Sequence, residues 1–400
     1  MIILGLNSGT SRDGVSGALF ETRELLPSAQ IRLILSREYP YPRQALELLD
    51  ELGKNPGLEK LARANFFIGE LFASAALKLI KESRVKKNSI DIIASHGQTV
   101  GHFPEAKKMG RYQVRASLQI GEPAMIAHRT GITTVADFRP AEIAAGGQGA
   151  PVLVYPEYLL FASGKKNRMV INLGGIANFS LIPKSRGPEK VWATDAGPCN
   201  LLLDELIRLS SRGALKFDPG GEIALKGRAR QEWSRAFLRH KFFSRPPPKT
   251  GGREDFNREW MGKILSRLNF RFGKDGPDLV RSGARAVAEM IAQCYSKKPK
   301  DFALDEVIVS GGGAKNKALL LEIEQALGRK PALSEVFGIP LQAKEPIGFG
   351  LLGELCIRGL IGNRSLSTGG GRDAILGKIC PGKNWRLVLK KIKAEKAGRG

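Results

Sequence analysis

The feature that most constrains the fold of this chain is a strand, glycine turn, strand pattern that occurs near the start of each half. Apolar residues 2–6 and 15–20 flank the first turn, and residues 169–173 and 176–182 flank the second. Short apolar runs that are bounded by glycine and polar residues are typical of buried strands. A duplicated unit of this kind predicts an α/β protein in which two similar lobes face a cleft.

The rest of the chain continues the alternation of strands and helices. We predict further strands at residues 31–35, 90–94, 132–136, 191–194 and 307–309, and helices at residues 58–80, 318–327 and 345–361. A chain of 400 residues should divide, because single cores rarely grow past roughly 250–300 residues. We predict an N-terminal lobe at 1–165, a linker at 164–167, a C-terminal lobe at 166–382 with the late helix near the hinge, and a mobile basic tail at 383–400.

The charge of the chain favours anionic partners. Lysine and arginine number 63 against 39 acidic residues, which gives a net charge of +24. A basic surface attracts nucleotides, acidic sugars, RNA and membrane surfaces alike. The basic residues are spread along the whole chain without a nucleic-acid motif. We therefore interpret them mainly as a solvated surface and keep nucleic-acid binding as the alternative.

The sequence shows neither a membrane span nor an export signal. The apolar start, residues 1–6, lacks a basic leader. No later stretch approaches the roughly 18 uninterrupted apolar residues of a membrane helix. We therefore expect a cytoplasmic protein. The 4 cysteines lie far apart and without a histidine cluster, which indicates reduced thiols rather than a disulfide framework or a zinc site.

The first glycine turn, residues 9–14 (G-T-S-R-D-G), is a candidate phosphate-binding loop. Glycines let backbone N–H groups approach phosphate oxygens, and hydroxyls add further donors. Asp13 could hold Mg²⁺ directly or through water. The alternative is a polar hairpin turn. The matching turn at Gly174 and Gly175 favours the functional interpretation, because a nucleotide clamped in a cleft needs one hairpin from each lobe.

Two further loops of the second half are candidates. Gly311, Gly312 and Gly313 follow a predicted strand and precede a helix, so their backbone could pack against a base or ribose. The alternative there is a flexible loop. Asp195 ends another predicted strand, in T-D-A-G-P, where a rigidly held carboxylate suits a general base. The alternative is that Asp195 caps the helix that begins near Asn200.

A separate group of residues suits a sugar. Gly147 and Gln148 lie in A-A-G-G-Q-G-A-P (residues 144–151), where small residues around an amide allow close approach of a polyhydroxyl ligand. Arg139 could pair with a carboxylate of that ligand. His96 and Gln98 follow the strand predicted at 90–94, and we interpret both as pocket lining. Residues 144–151 could equally form a hinge between the lobes.

Together these stretches resemble the anhydro-N-acetylmuramic acid kinase family, in the family's order from residue 2 to about residue 382. The matching motifs are S-G-T-S-x-D-G (8–14), S-H-G-Q-T-V (95–100), L-Q-I-G-E-P (118–123), G-I-T-T-V-A-D-F-R (131–139), A-A-G-G-Q-G-A-P (144–151), N-L-G-G-I-A-N (172–178), D-x-G-P-x-N (195–200), F-F-S-R-P-P-P-K-T-G-G-R-E-D-F-N (242–257) and G-G-G-A-K-N (311–316). Each glycine motif alone is weak evidence for the family, but this many motifs in the family's order are a specific signal.

The resemblance implies the two-lobed actin-like ATPase fold, of ribonuclease H-like type, with ATP in a central cleft and a homodimer as the usual assembly. It also implies that 1,6-anhydro-N-acetylmuramic acid, a product of cell-wall recycling, is the substrate. In that reaction water attacks the anomeric carbon and the anhydro bridge opens. The freed oxygen 6 takes the γ-phosphoryl group of ATP, which gives N-acetylmuramic acid 6-phosphate and ADP.

Motif position implies a role for each candidate residue. Asp195 corresponds to the base that activates the water. The implied ATP-binding residues are Gly9, Thr10, Ser11, Arg12, Asp13, Gly14, Val15, Ser16, Gly174, Gly175, Gly311, Gly312, Gly313 and Asn316, with Asp13 also toward Mg²⁺. The substrate-binding residues are His96, Gln98, Arg139, Gly147, Gln148 and Glu345, the last of which matches a family glutamate near the cleft.

Several positions depart from the usual pattern of the family. Asn7 and Arg12 replace apolar residues in the first loop, and Ser16 stands where an Asp is common. Ala196 and Cys199 replace Thr and Gly around the expected base. Two alternatives therefore stay open: a kinase of the same superfamily that acts on another amino sugar or polyol, and a non-catalytic protein that binds nucleotide or nucleic acid.

Overall fold

The chain forms two compact units. Unit 1 comprises Met1–Leu160 and Gln342–Gly400, and unit 2 comprises Phe161–Leu341. The computed structural model describes residues 1–9, 14–23, 25, 30–53, 57–252, 255–268, 270–271, 274–363 and 372–397. The predicted C-terminal lobe extends to residue 382, but in the structure residues 342–382 belong to unit 1. The predicted linker at 164–167 lies within unit 2.

Unit 1 is built on one mixed sheet. Its strands are β1 Ile2–Ser8, β2 Gly14–Thr22, β3 Ile31–Pro40, β4 Ile92–Met109, β5 Tyr112–Ile120, β6 Thr134–Ala136 and β12 Lys378–Cys380. Their order is β12-β6-β4-β1-β2-β3, and β5 pairs with β4 outside this path. The meander β1-β2-β3 is antiparallel, whereas β4 is parallel to both β1 and β6.

Unit 2 repeats this arrangement. Its strands are β7 Arg168–Leu173, β8 Ile176–Ile182, β9 Trp192–Pro198, β10 Glu306–Ser310 and β11 Pro331–Leu333, in the order β11-β10-β7-β8-β9. Here too an antiparallel meander of three strands is extended by two strands parallel to the first. This order is that of a ribonuclease H-like fold, and its presence in both units confirms the predicted duplication.

Helices pack on both sheets. Those of unit 1 are α1 Arg43–Leu52, α2 Leu58–Ser83, α3 Pro123–Thr130, α4 Phe138–Ala144, α5 Val154–Phe161, α13 Lys344–Arg358 and α14 Trp385–Ala397. Those of unit 2 are α6 Asn200–Ser210, α7 Glu222–Leu225, α8 Gln231–Phe237, α9 Lys241–Ser244, α10 Arg258–Leu265, α11 Gly276–Ser296 and α12 Lys317–Leu327. Within the described part of the chain, no helix is long and apolar enough to cross a membrane.

Strand β1 is covered on both faces, which explains its continuous apolar sequence. Leu4 belongs to the core cluster that also contains Phe72 of α2. The opposite face lies against α13, and a Cβ at Gly5 would collide with the carbonyl oxygen of Pro346. This close approach places the first turn of α13, including Glu345, beside the end of β1.

The strand predicted at residues 90–94 is only the start of a longer one. Strand β4 continues to Met109 and forms a hairpin with β5, in which His102 faces Ser117. This hairpin exposes apolar side chains such as Phe103 and Tyr112 among basic ones, so no buried strand pattern marks it in the sequence. It extends the framework that carries His96 and Gln98.

The segment predicted as a basic tail, residues 383–400, contains helix α14 at Trp385–Ala397. Helix α14 buries Val388 and Ile392, which are spaced four residues apart on one helix face. Ahead of this helix, the side-chain oxygen of Asn384 accepts hydrogen bonds from the backbone N–H and the hydroxyl of Thr133, both at 2.8 Å. Because most of this segment is basic, its two buried apolar positions did not indicate a helix in the sequence.

Candidate active site

The first candidate loop connects β1 to β2. Of its predicted phosphate-binding residues, the structure describes Gly9, Gly14, Val15 and Ser16, and Thr10, Ser11, Arg12 and Asp13 lie outside the described residues. In the ladder of the two strands, Asn7 pairs with Ser16. Gly14 lies against β3, where a Cβ would collide with the carbonyl oxygen of Tyr39. Close packing of the third strand therefore requires glycine at this end of the loop.

Gln98 supports the entry to this loop. The hydroxyl of Ser8 donates to Oε1 of Gln98 at 2.6 Å. Nε2 of Gln98 donates to the carbonyl oxygen of Thr99 at 3.3 Å and lies 3.5 Å from that of Gly9. Both ends of this buried amide contact protein groups, so Gln98 links the end of β1 to β4. Its contact with a sugar stays a prediction.

His96 is a neutral ring held by Arg139. Nε of Arg139 donates to Nε2 of His96 at 3.0 Å, and Nδ1 of His96 lies 3.1 Å from the carbonyl oxygen of Gly97. A guanidinium can only donate, so Nε2 accepts and the ring proton lies on Nδ1. Burial and the nearby charge of Arg139 hold the pKa of His96 well below its usual value. Phe349 stacks on the ring at 4.4 Å between centroids.

The loop that contains Gly147 and Gln148 is organised by a buried carboxylate. Glu142 accepts a hydrogen bond from the backbone N–H of Gly149, and a Cβ at Gly147 would overlap the same carboxylate. Arg139 donates to the carbonyl oxygen of Gly149 at 2.7 Å. The structure thus brings His96, Arg139 and the loop together. The guanidinium is engaged by protein groups, and its pairing with a ligand carboxylate stays a prediction.

The first turn of α13 carries two ionised side chains with different surroundings. Nδ2 of Asn7 donates to Oε2 of Glu345 at 2.8 Å, which ties this carboxylate to the end of β1. Lys344 lies 2.5 Å from Glu157 of α5 in a buried ion pair. This pair joins the two segments at which the chain leaves and re-enters unit 1.

Asp195 lies in β9 of unit 2 and is 6% exposed. The backbone N–H of Gly251 donates to Oδ2 of Asp195 at 2.9 Å. Helix α6 has Cys199 as its N-cap residue, without a side-chain cap, so the interpretation of Asp195 as a helix cap was wrong. A carboxylate that a strand and a backbone N–H hold in place can take a proton from a water or hydroxyl group.

Residues 249–251 are the part of this site that sequence reasoning missed. The backbone N–H of Asp195 donates to the carbonyl oxygen of Lys249 at 2.9 Å. Nζ of Lys249 donates to the carbonyl oxygen of Phe242 at 2.9 Å, and burial lowers the pKa of this amine. The K-T-G-G run within residues 242–257 was the available signal, but nothing in that run indicated its contact with β9.

The glycine turn at Gly174 and Gly175 is bonded to the start of α6. The backbone N–H of Asn200 donates to the carbonyl oxygen of Gly174 at 3.0 Å, and that of Cys199 donates to Gly175 at 2.9 Å. These bonds fix the turn after β7 relative to β9 and α6. The turn therefore lies beside the strand that carries Asp195.

The loop of Gly311, Gly312 and Gly313 packs on the end of β7. Gly311 has a φ of +84°, and a Cβ there would lie 2.9 Å from the carbonyl oxygen of Leu173. A Cβ at Gly313 would lie 3.0 Å from the same oxygen. At Gly312 the nearest atom would be Nδ2 of Asn200, at 3.7 Å. Packing within unit 2 thus requires two of these glycines, whereas Gly312 leaves room for a ligand.

Three other positions of unit 2 have structural roles. The side chain of Asn316 accepts a hydrogen bond from the N–H of Leu319 at 3.0 Å and so caps α12. Its contact with ATP stays a prediction. Ala196 and Cys199, which depart from the family pattern, both lie in the hydrophobic core of unit 2. Packing therefore accommodates both departures.

A metal site among protein side chains is not evident in the described ranges, where no group of three His, Cys, Asp or Glu residues could hold an ion. Mg²⁺ that is bound together with phosphate oxygens and water needs only one or two protein carboxylates. The expected carboxylate, Asp13, lies outside the described residues.

The duplicated ribonuclease H-like fold, with a glycine turn after the first strand of each unit and a buried carboxylate on β9, defines the class of actin-like ATPases and sugar kinases. A family profile described as anhydro-N-acetylmuramic acid kinase matches residues 1–382. The chain belongs to the anhydro-N-acetylmuramic acid kinase family.

Two relatives with similar sequences carry the name of this family. The chain is 37% identical over 382 residues to "Anhydro-N-acetylmuramic acid kinase" of Caldanaerobacter subterraneus subsp. tengcongensis, covering 94% of this chain and 96% of the relative. It is 36% identical over 388 residues to the protein of the same name from Gloeobacter violaceus, covering 95% and 98%. Among solved structures, "Activator of the 2-Hydroxyisocaproyl-CoA Dehydratase from Clostridium difficile with bound ADPNP" matches with a TM-score of 0.43 at 11% identity, covering 88% of this chain and 93% of that one.

Proposed function

We propose that this kinase opens the 1,6-anhydro bond of 1,6-anhydro-N-acetylmuramic acid and phosphorylates the oxygen that is released. The oxygen of a water molecule bonds to the anomeric carbon, and the bond from that carbon to oxygen 6 breaks. Oxygen 6 keeps the electron pair and bonds to the γ-phosphorus of ATP, and the bond from that phosphorus to the bridging oxygen breaks. The products are N-acetylmuramic acid 6-phosphate, ADP and one proton.

The observation that carries this proposal is the setting of Asp195. Water becomes a competent nucleophile at the anomeric carbon only if a base removes one of its protons. The carboxylate is held by the N–H of Gly251 at 2.9 Å and by its position in β9. A fixed carboxylate can take the proton and release it to solvent after the sugar product leaves.

We propose that the glycine loops bind ATP. Phosphoryl transfer depends mainly on positioning and on stabilisation of charge, which the backbone N–H groups of such loops can supply. We assign the phosphates to residues 9–16 and to Gly174 and Gly175. We assign the adenosine to Gly312, where a Cβ would come no closer than 3.7 Å to a protein atom. Asn316 borders the same loop. Asp13 would hold Mg²⁺ directly or through water, and the ion would offset the negative charge of the phosphates.

The sugar is assigned to unit 1, with His96, Gln98, Arg139, Gly147, Gln148 and Glu345 as its expected contacts. Support comes from the organised loop around Glu142, in which Arg139 and His96 are fixed in one arrangement. Fixed donors and acceptors suit a ligand that carries several hydroxyls and a carboxylate. We also propose that the protein acts in the cytoplasm, as a homodimer.

The test is the replacement of Asp195 by Asn, which keeps the size of the side chain but removes its basicity. We expect kcat to fall by about 10²–10⁴-fold, with unchanged binding of a non-hydrolysable ATP analogue. The control is Asp301→Asn, which changes an exposed carboxylate of the same unit. Full activity in the Asp195 variant would show that the base is another group. Turnover by the wild-type protein of a different sugar in a panel would replace the substrate and leave the kinase class intact.

A further inference from the structure

Just ahead of the candidate phosphate loop in the chain, Asn7 has a buried polar atom that lacks a hydrogen-bond partner among the described residues. Asn7, the penultimate residue of β1, is 3% exposed. Its Nδ2 donates to Oε2 of Glu345 at 2.8 Å. Its Oδ1 has no hydrogen-bond partner in the described part of the chain. Buried polar groups in folded proteins are nearly always hydrogen bonded, so an exception of this kind calls for an explanation.

The orientation of this amide is fixed by its neighbour. Turning it over would place Oδ1 of Asn7 against the carboxylate of Glu345, and two acceptors cannot share a hydrogen bond. The nearby hydroxyl of Ser8 and amide of Gln98 are already engaged, since Ser8 donates to Gln98 and Gln98 donates to the backbone. The donor that no described residue supplies can come from a bound molecule.

We propose that Asn7 is a ligand-binding residue whose Oδ1 accepts a hydrogen bond from an O–H group of the bound reactants, while its Nδ2 positions Glu345. An amide oxygen can only accept a hydrogen bond, so it selects an O–H donor over an anion. Two sources provide this chemistry, namely a hydroxyl of the sugar and a water molecule on Mg²⁺. This inference rests on the proposed function and adds a residue at which the family pattern has an apolar side chain.

The geometry separates this role from the structural roles of neighbouring residues. Gly5 and Gly14 serve close packing, and Gln98 satisfies groups of the loop itself. Asn7, by contrast, leaves its acceptor unused while its Nδ2 holds Glu345. The usual pattern of the family has an apolar residue at this position, so an apolar substitution of similar size should preserve the fold.

The experiment compares wild-type protein with Asn7→Met in binding and in turnover. Calorimetry without turnover measures the dissociation constant of the sugar alone and of Mg²⁺ with a non-hydrolysable ATP analogue. If a sugar hydroxyl is the donor, N7M weakens sugar binding and raises the KM for sugar by about ten-fold, with little change for the nucleotide. If metal-bound water is the donor, the Mg²⁺ concentration for half-maximal nucleotide binding rises instead.

Two controls keep the result interpretable. Asn65→Leu changes an amide of unit 1 whose two ends both have partners, Glu122 and the backbone N–H of Gly121, and should leave both dissociation constants unchanged. The variant Asn7→Asp retains an acceptor but cannot donate to Glu345, so it should impair kcat more than binding. Unchanged binding of both reactants by correctly folded N7M would overturn the inference. Turnover by the wild-type protein tests the proposed function. The ratio of the N7M dissociation constant to that of the wild-type protein tests the role of Asn7.

Discussion

Removing one partner of the buried pair between Lys344 and Glu157 should destabilise unit 1 severely. The two side chains are 2% and 6% exposed, and Nζ lies 2.5 Å from Oε1. The variant Lys344→Met leaves a carboxylate in the protein interior without its counter-ion, which typically costs about 3–5 kcal/mol. In a domain of this size each kcal/mol corresponds to about 2–4 °C in melting temperature, so the expected loss is about 6–20 °C.

Thermal unfolding followed by circular dichroism measures this loss. The matched control is Glu47→Ala, which breaks an exposed pair with Arg43 at 2.7 Å, where the side chains are 88% and 56% exposed. Such pairs on helices contribute only about 0.3–0.5 kcal/mol. The double variant Lys344→Met with Glu157→Leu should recover most of the lost stability, because no unpaired charge remains. A single variant that melts within about 1 °C of the control would refute the reasoning.

Three further outcomes are expected. Gly311→Ala should lower the melting temperature, because residue 311 has a φ of +84° and its Cβ would lie 2.9 Å from a carbonyl oxygen. Gly312→Ala should leave the melting temperature unchanged and weaken ATP binding. Burial and the charge of Arg139 lower the pKa of His102 from 6.5 to about 4. The imidazole of His102 therefore takes up a proton at a higher pH in the unfolded chain than in the folded protein. The free energy of unfolding should fall as the pH drops from about 6.5 toward 4. Urea unfolding should show a smaller fall for His102→Gln. Asn384→Ala should lower the melting temperature of unit 1 by removing the acceptor of two hydrogen bonds.

Each of these outcomes can fail in a distinct way. Equal melting temperatures for the two glycine variants would show that the loop does not pack on β7 as described. A pH dependence unchanged in the His102 variant would assign the acid loss of stability to other groups. A fully stable Asn384 variant would support the mobile tail that the sequence had suggested.

Local patterns were sufficient to predict the strands and the duplication. The glycine turns and flanking apolar runs are short-range signals, and burial of β1 on both faces makes its sequence continuously apolar. The late helix was predicted at 345–361 and lies at Lys344–Arg358. Its membership of unit 1 was not predictable from the pattern, because it depends on contact between Gly5 and Pro346, which are far apart in the chain.

Within the candidate site, residue types could be predicted but partners could not. Asp195 was singled out as a strand-end carboxylate, but its contact with Gly251 joins segments that no periodicity connects. Likewise, the contact of Arg139 with a ligand stays a prediction, and the contacts of its guanidinium with His96 and Gly149 were not predicted. Such pairs depend on how distant loops meet, which is a tertiary property.

The most direct test of the central claim is to incubate the purified protein with Mg·ATP and 1,6-anhydro-N-acetylmuramic acid in ¹⁸O-labelled water. Mass spectrometry then follows the sugar phosphate while a coupled assay follows ADP. We predict one ¹⁸O atom at the anomeric carbon of a 6-phosphorylated product, with equal amounts of sugar phosphate and ADP. Release of ADP without sugar phosphate, or a phosphorylated sugar in which the anhydro bridge is intact, would contradict the proposed reaction.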